Sequence, residues 1–275
     1  MYTWFGARKM KLDESVLEID YKIVEQEILE FIREIVAKAK AKGIVVGLSG
    51  GVDSSVVAKL CVKALENHRV IGLLMPTEFT PAQDIIDAEV LAESLEIKTY
   101  HIPIDPIVDM FIKMLPFKTD KAVPLGNIRA RTRMIINYYF ANCLNYLVAG
   151  TGDRSEALIG YFTKYGDGGA DFLPIVHLYK TQVRKLGAYL ELPKKVVEKP
   201  SSPQLWKGQK ATDEIPIDYP VLDLILYGIF DAKMSHPEIA RQLNVPLDLV
   251  KKVEILFISS AHKRMYPATV RQLYS

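Results

Sequence analysis

The chain has 275 residues, of which 49% are hydrophobic and 25% charged, and its formal net charge is +2. Such a length suits one large α/β domain or two small ones, and the apolar share supports a sizeable core, which excludes a disordered chain. A charge this close to zero leaves no broad nucleic-acid footprint. No apolar run approaches the roughly 18 residues of a membrane span, and the N-terminal stretch has no signal-peptide core. A cytoplasmic protein without membrane or nucleic-acid partners is expected.

Residues 14–42 carry apolar side chains at Val16, Ile19, Ile23, Ile28, Phe31, Ile32 and Ile35, close to helical spacing, and Gly43 is expected to end that helix. Residues 44–48 read as a buried strand, 54–67 as a helix and 69–75 as a second strand. Residues 80–94 look helical, with Thr80 as a cap and Pro81 at the first helical position. Residues 98–102 form a short third strand, 105–115 a helix, 127–145 a long helix and 146–149 a fourth strand. Strands alternating with helices predict an α/β fold, a parallel sheet with helices on both faces. A helical segment follows at the C-terminal end. No linker or repeat divides the chain, so residues 1–275 are expected to form one domain. Cys61 and Cys143 sit in apolar helical stretches and read as buried structural thiols. His68, His101, His177 and His236 show no ligand pattern.

The stretch GIVVGLSGGVDSSVVAKL, residues 43–60, leaves the first strand through Ser49, Gly50 and Gly51 and enters a helix. Glycines let backbone amides approach a ligand without an intervening Cβ. A helix start adds free N–H groups and positive dipole character. The hydroxyls of Ser49, Ser54 and Ser55 supply further donors. Together these form a cradle for phosphate oxygens at the carboxyl end of a strand, where open parallel sheets bind ligands. The loop lacks the lysine of a Walker A motif and carries Asp53 instead. A carboxylate beside phosphates needs a cation between them, so Asp53 is expected to hold Mg²⁺.

SGGVDSS resembles the pyrophosphate loop of the N-type ATP pyrophosphatases, which cleave ATP between its α and β phosphates. Three further stretches narrow the resemblance: GNIRARTRM at residues 126–134, GTGDRSEALIGYFTKYGDGGADFLPI at 150–175 and YKTQVRKLGAYLELP at 179–193. With the loop they closely resemble ammonia-dependent NAD synthetase. The resemblance implies a Rossmann-like fold of the adenine nucleotide alpha hydrolase type and a homodimer. It also implies synthesis of NAD from deamido-NAD, ATP and ammonia. The chemistry is coherent: a nicotinate carboxylate becomes reactive toward ammonia only once AMP has been transferred onto it.

By resemblance, ATP contacts Gly47, Leu48, Ser49, Gly50, Gly51, Val52, Asp53 and Ser54, together with Thr151, Lys180 and Ser202. Glu156 joins Asp53 as a magnesium ligand. Lys180 supplies the point charge that the loop lacks. Deamido-NAD is assigned to Arg131, Lys164, Asp171, His262 and Lys263. Asp167 binds ammonium or helps to deprotonate it. Arg129, Arg131 and Arg133 alternate on a helix and cannot share one face; Arg129 and Arg133 are therefore expected in salt bridges or a dimer contact. No amidase domain fits beside the synthetase pattern, so free ammonia is the expected nitrogen source.

Two rivals remain from the sequence. One is a pyrophosphatase-loop enzyme acting on tRNA, for which neither a nucleic-acid appendage nor reactive cysteines are visible. The other is a non-catalytic regulator, since HPEIARQLNVPLDLVKKVEILF, residues 236–257, resembles a helix-turn-helix. A helical element packing near the substrate explains that stretch more simply.

Overall fold

The structure is a computed structural model and describes residues 11–270. A 3-10 turn at Glu14–Leu17 precedes helix α1, Tyr21–Lys38. The expected single helix over 14–42 is divided because Asp20 caps α1, accepting from the N–H groups of Lys22 and Ile23. Gly43 does not end that helix; it opens strand β1, Gly43–Gly47. Helix α2 spans Val52–Leu65, β2 Val70–Leu74, α3 Ala82–Ser94 and β3 Lys98–His101. Pro81, not Thr80, stands at the cap of α3, and the Thr80 hydroxyl instead accepts from the Thr77 N–H at 2.9 Å.

Helix α4 follows at Asp105–Met114, α5 at Ala122–Leu144 and β4 at Tyr146–Ala149. α5 starts five residues before the expected 127, because Pro124 falls in its first turn, where no backbone partner is lost. Then come α6 at Arg154–Ile159, α7 at Lys180–Tyr189, α8 at Lys194–Val197 and α9 at Tyr219–Phe230. α10 at His236–Leu243, α11 at Leu247–Ser259 and α12 at Ala261–Arg264 complete the described chain.

The sheet is wholly parallel, in the order β3-β2-β1-β4, and Val46 of β1 pairs with both Gly72 and Ala149. Side chains alternate between its faces. Ile44 and Val46 join a core with Ile28 and Ile32 of α1, Val56 and Leu60 of α2, and Val183 of α7. Val45 points the other way, to Val108 of α4 and Ile136 of α5. Helices therefore cover both faces, as the alternation of elements predicts. A separate apolar cluster unites Leu222, Ile225 and Leu226 of α9 with Ile239 of α10 and Val250 and Val253 of α11. The helix pair that resembles a helix-turn-helix thus buries its apolar stripe against α9.

Cys61 is buried, and burial pushes its thiol up to about 12. Cys143 is exposed, contrary to expectation. α5 buries a narrow stripe that includes Ile136 and Ala141, and a residue two positions past Ala141 falls on the opposite side of the helix.

Candidate active site

β1 and β4 are neighbours, but the chain leaves β1 toward β2, on the other side. Their carboxyl ends therefore flank the crevice where open α/β sheets bind ligands. A cavity opens there, lined by Ser49, Asp53, Thr151, Glu156, Asp167 and Ser202, among other residues.

The phosphate loop follows from its glycines. Gly50 adopts φ 74°, and a Cβ there would run into the backbone carbonyl oxygen of Asp84. Its serines shape the loop as much as they face the cavity. Ser55 is buried and donates to the Gly51 carbonyl at 2.8 Å, so it is not the free donor expected of it. Ser54 donates to the same carbonyl at 3.1 Å and accepts from the Ser49 N–H at 3.2 Å. Gly51 stands at the cap of α2 and offers no side-chain cap, and the first residues of α2 line the cavity. Unsatisfied N–H groups at such a helix start suit an anion.

Lys180 organises the next layer. Its side chain is 0% exposed, and its ammonium lies 2.8 Å from Asp53 Oδ2, 2.7 Å from Asp153 Oδ2 and 2.9 Å from Glu156 Oε1. The Tyr219 ring centroid is 5.2 Å away. Burial works to lower the Lys180 pKa, but Asp153, Asp53 and Glu156 together hold the ammonium well above its ordinary value. Burial raises Asp153, helped by the Asp53 charge and opposed by Lys180. Burial and the Asp153 charge raise Glu156 as well. Lys180 thus stays charged, and it stands behind the cavity wall rather than in its lining.

Among the described residues no group of three or more His, Cys, Asp or Glu side chains is arranged to hold a metal ion by itself. Mg²⁺ needs no such cage, since one or two carboxylates with phosphate oxygens commonly suffice. Asp53 Oδ1 is buried without a hydrogen-bond partner, while Oδ2 is spent on Lys180. Glu156 is partly open to the cavity. This oxygen-only donor set fits a hard divalent cation.

Four of the five residues assigned to deamido-NAD form a linked rim outside this cavity. Arg131 donates to the Lys164 carbonyl at 3.2 Å, and the Lys164 ammonium donates to the His262 carbonyl at 2.7 Å. Lys263 donates to the carbonyls of Gly160 and Phe162 at 2.7 and 2.8 Å. His262 and Lys263 line a second cavity with Tyr161 and Glu214; Tyr161 borders both. Asp171 stands apart, accepting from the Val148 N–H at 2.7 Å and the Tyr138 hydroxyl at 3.1 Å. Asp167 accepts from the Thr163 N–H at 2.9 Å and reaches the main cavity. Among the described residues Arg129 and Arg133 form no salt bridge. Each bonds a backbone carbonyl, of Leu205 at 3.0 Å and Met75 at 3.1 Å, because α5 packs under the loops that carry those groups.

Asp153 was not anticipated. It is fully buried, caps α6 and accepts from the Glu156 N–H at 2.8 Å. The signal was present: an Asp followed three residues later by Glu, just before an apolar run, is a helix-start pattern. Tyr219 gave no such signal.

The sequence profile of the NAD synthase family matches residues 12–267. The NH(3)-dependent NAD(+) synthetase of Staphylothermus marinus is 49% identical over 255 residues, covering 92% of this chain and 93% of its own. The solved NH3-dependent NAD synthetase from Campylobacter jejuni is 31% identical, with TM-score 0.79 over 92% of this chain and 100% of that one. The solved NMN synthetase from Francisella tularensis is 34% identical, with TM-score 0.81 over 92% and 99%. With that profile spanning nearly all of the described residues, the chain belongs to the NAD synthase family.

Proposed function

We propose that this chain makes NAD by ATP-dependent amidation of deamido-NAD with ammonia, releasing AMP and pyrophosphate. The observation that carries this reading is the placement of Lys180, Asp53 and Glu156 directly beside the glycine-serine loop. The names of the relatives support the product and the nitrogen source.

Asp53 and Glu156 bring acidic side chains to this corner, and a triphosphate approaching ionised carboxylates is repelled unless a divalent cation comes with it. Asp53 and Glu156 are the residues that would hold Mg²⁺. When bound there, Mg²⁺ neutralises phosphate charge as pyrophosphate departs. The loop amides and the α2 start orient the phosphates and stabilise the charge that develops on the leaving group. Thr151 and Ser202 border the same space and would contact the nucleotide.

One nicotinate carboxylate oxygen attacks the α-phosphorus and pyrophosphate leaves, giving an acyl-adenylate. Ammonia then attacks the acyl carbon and AMP leaves with that oxygen. Asp167, which borders the same cavity, would receive the proton that ammonium must lose. Arg131, Lys164, Asp171, His262 and Lys263 would hold the dinucleotide, and four of the five already form one rim.

A homodimer is part of the proposal. Met110 and Met114 of α4, Phe117 after it, and Ile135 and Tyr139 of α5 expose large apolar side chains. Such a patch suits a second copy of the chain better than water. No helix among the described residues is long and apolar enough to cross a membrane, which suits a cytoplasmic biosynthetic enzyme.

The test is to incubate the purified chain with ATP, Mg²⁺, ammonium and deamido-NAD, with nicotinate mononucleotide as comparison substrate. NAD, AMP and pyrophosphate in equal amounts, and far less product from the mononucleotide or from glutamine, are expected. Preference for the mononucleotide would reassign the substrate.

A further inference from the structure

α9 sends a second side chain toward the site, one turn after Tyr219. Asp223 is fully buried. It accepts from the Ser155 hydroxyl at 2.5 Å, from the Thr181 N–H at 2.8 Å and from the Thr181 hydroxyl at 2.7 Å. The Ser155 oxygen in turn accepts from the backbone N–H of Lys180 at 3.0 Å.

The placement of these partners is specific. Ser155 directly precedes Glu156 in the first turn of α6, and Thr181 directly follows Lys180 in the first turn of α7. N–H groups at a helix start have no partner inside their helix. At α7, Ser155 serves the first of them and Asp223 the second. One carboxylate from the C-terminal helices therefore ties together the starts of the two helices that carry the Lys180–Glu156 pair.

We propose that Asp223 is a positioning residue for adenylation: through Ser155 and Thr181 it sets the spacing between Lys180 and Glu156. This rests on the function proposed above. Hydrogen-bond partners that orient charged site residues typically matter for activity by roughly 10–100-fold. Asp223 pairs with no cation among the described residues, and burial pushes its carboxyl up to about 6. Keeping an unpaired carboxylate buried is costly and is a mark of functional corners. A role confined to gluing α9 onto the α/β unit could be filled by apolar contacts, which α9 already makes in number.

The experiment compares wild type, Asp223→Asn and Ser155→Ala, neither of which removes a group that touches substrate. Expected for both variants is a fall in kcat of roughly 10–100-fold, with the KM for deamido-NAD and the Tm changed little. The double variant should be hardly worse than either single one, because both cut the same chain of bonds. Unchanged kcat with a lowered Tm would show a merely structural role and overturn the proposal. If Asp223→Asn fails to fold, Ser155→Ala decides alone, and a folded Ser155→Ala protein with wild-type kcat overturns it. Wild type making no NAD would instead sink the functional reading itself.

Discussion

Lys180 Nζ lies 2.8 Å from Asp53 Oδ2, although the two residues are 127 positions apart in sequence. α7 brings the ammonium and the helix after the phosphate loop brings the carboxylate. The fold thus builds a charged corner from two elements that have no local reason to meet.

Asp53→Asn removes the negative charge but keeps the shape. Lys180 retains Asp153 and Glu156 as partners, so the fold should survive. Adenylation should fall by roughly 10²–10³-fold, the size of effect seen when a group stabilising developing charge is lost. The readout is deamido-NAD-dependent release of pyrophosphate at saturating Mg²⁺. Near-normal release would remove Asp53 from the mechanism.

Gly50→Ala tests the loop. The φ of 74° costs an L-residue roughly 1–2 kcal/mol, and the added methyl meets the Asp84 carbonyl oxygen, which is backbone and cannot swing away. The variant should unfold at lower denaturant concentration and show a raised KM for ATP. An unchanged ATP KM would mean that the loop backbone does not grip the nucleotide.

Asp223 gives a pH signature with a definite sign. Its folded carboxyl titrates at about 6, against an ordinary value of 3.8. Between those values the folded chain binds more protons than the unfolded one, so this group's contribution to stability falls as pH rises and is fully lost above about 6. Urea unfolding of wild type and Asp223→Asn isolates the effect. From about pH 4.5 to about pH 7.5, wild type should lose on the order of 2 kcal/mol relative to the variant. A pH-independent difference would contradict the assigned titration.

The apolar face on α4 and α5 predicts assembly. Met114 and Phe117 are 78% and 83% exposed in the single chain. Wild type should sediment at twice the 31.0 kDa chain mass. Met114→Asp combined with Phe117→Asp should sediment as a monomer. A wild-type monomer at micromolar concentration would rule this face out as a dimer contact.

What the sequence made legible was local. The strand, the Ser-Gly-Gly exit and the α2 start announce themselves through apolar periodicity followed by residues with special backbone freedom. The order of strands and helices gave the parallel sheet by the same logic. What stayed hidden depended on distant neighbours. Lysine is almost never fully buried unless paired, and nothing near Lys180 in sequence says that three carboxylates will bury it. Asp223 is the one charged residue in the otherwise apolar α9, and only the approach of α6 and α7 gives it partners. Asp171 reads as a ligand-binding aspartate from its motif, and the motif does not reveal that its carboxylate also accepts from the Val148 N–H and the Tyr138 hydroxyl. Cys143 was misplaced because an apolar neighbourhood in sequence does not reveal how narrow a stripe α5 buries.

The central claim is that the site next to Lys180 activates the nicotinate carboxylate by transferring AMP onto it. Deamido-NAD labelled with ¹⁸O in that carboxylate tests this directly, because the acyl-adenylate passes one carboxylate oxygen to phosphorus. Mass spectrometry of the AMP formed should show one ¹⁸O per molecule, appearing in step with NAD. AMP without label, alongside labelled NAD, would contradict it.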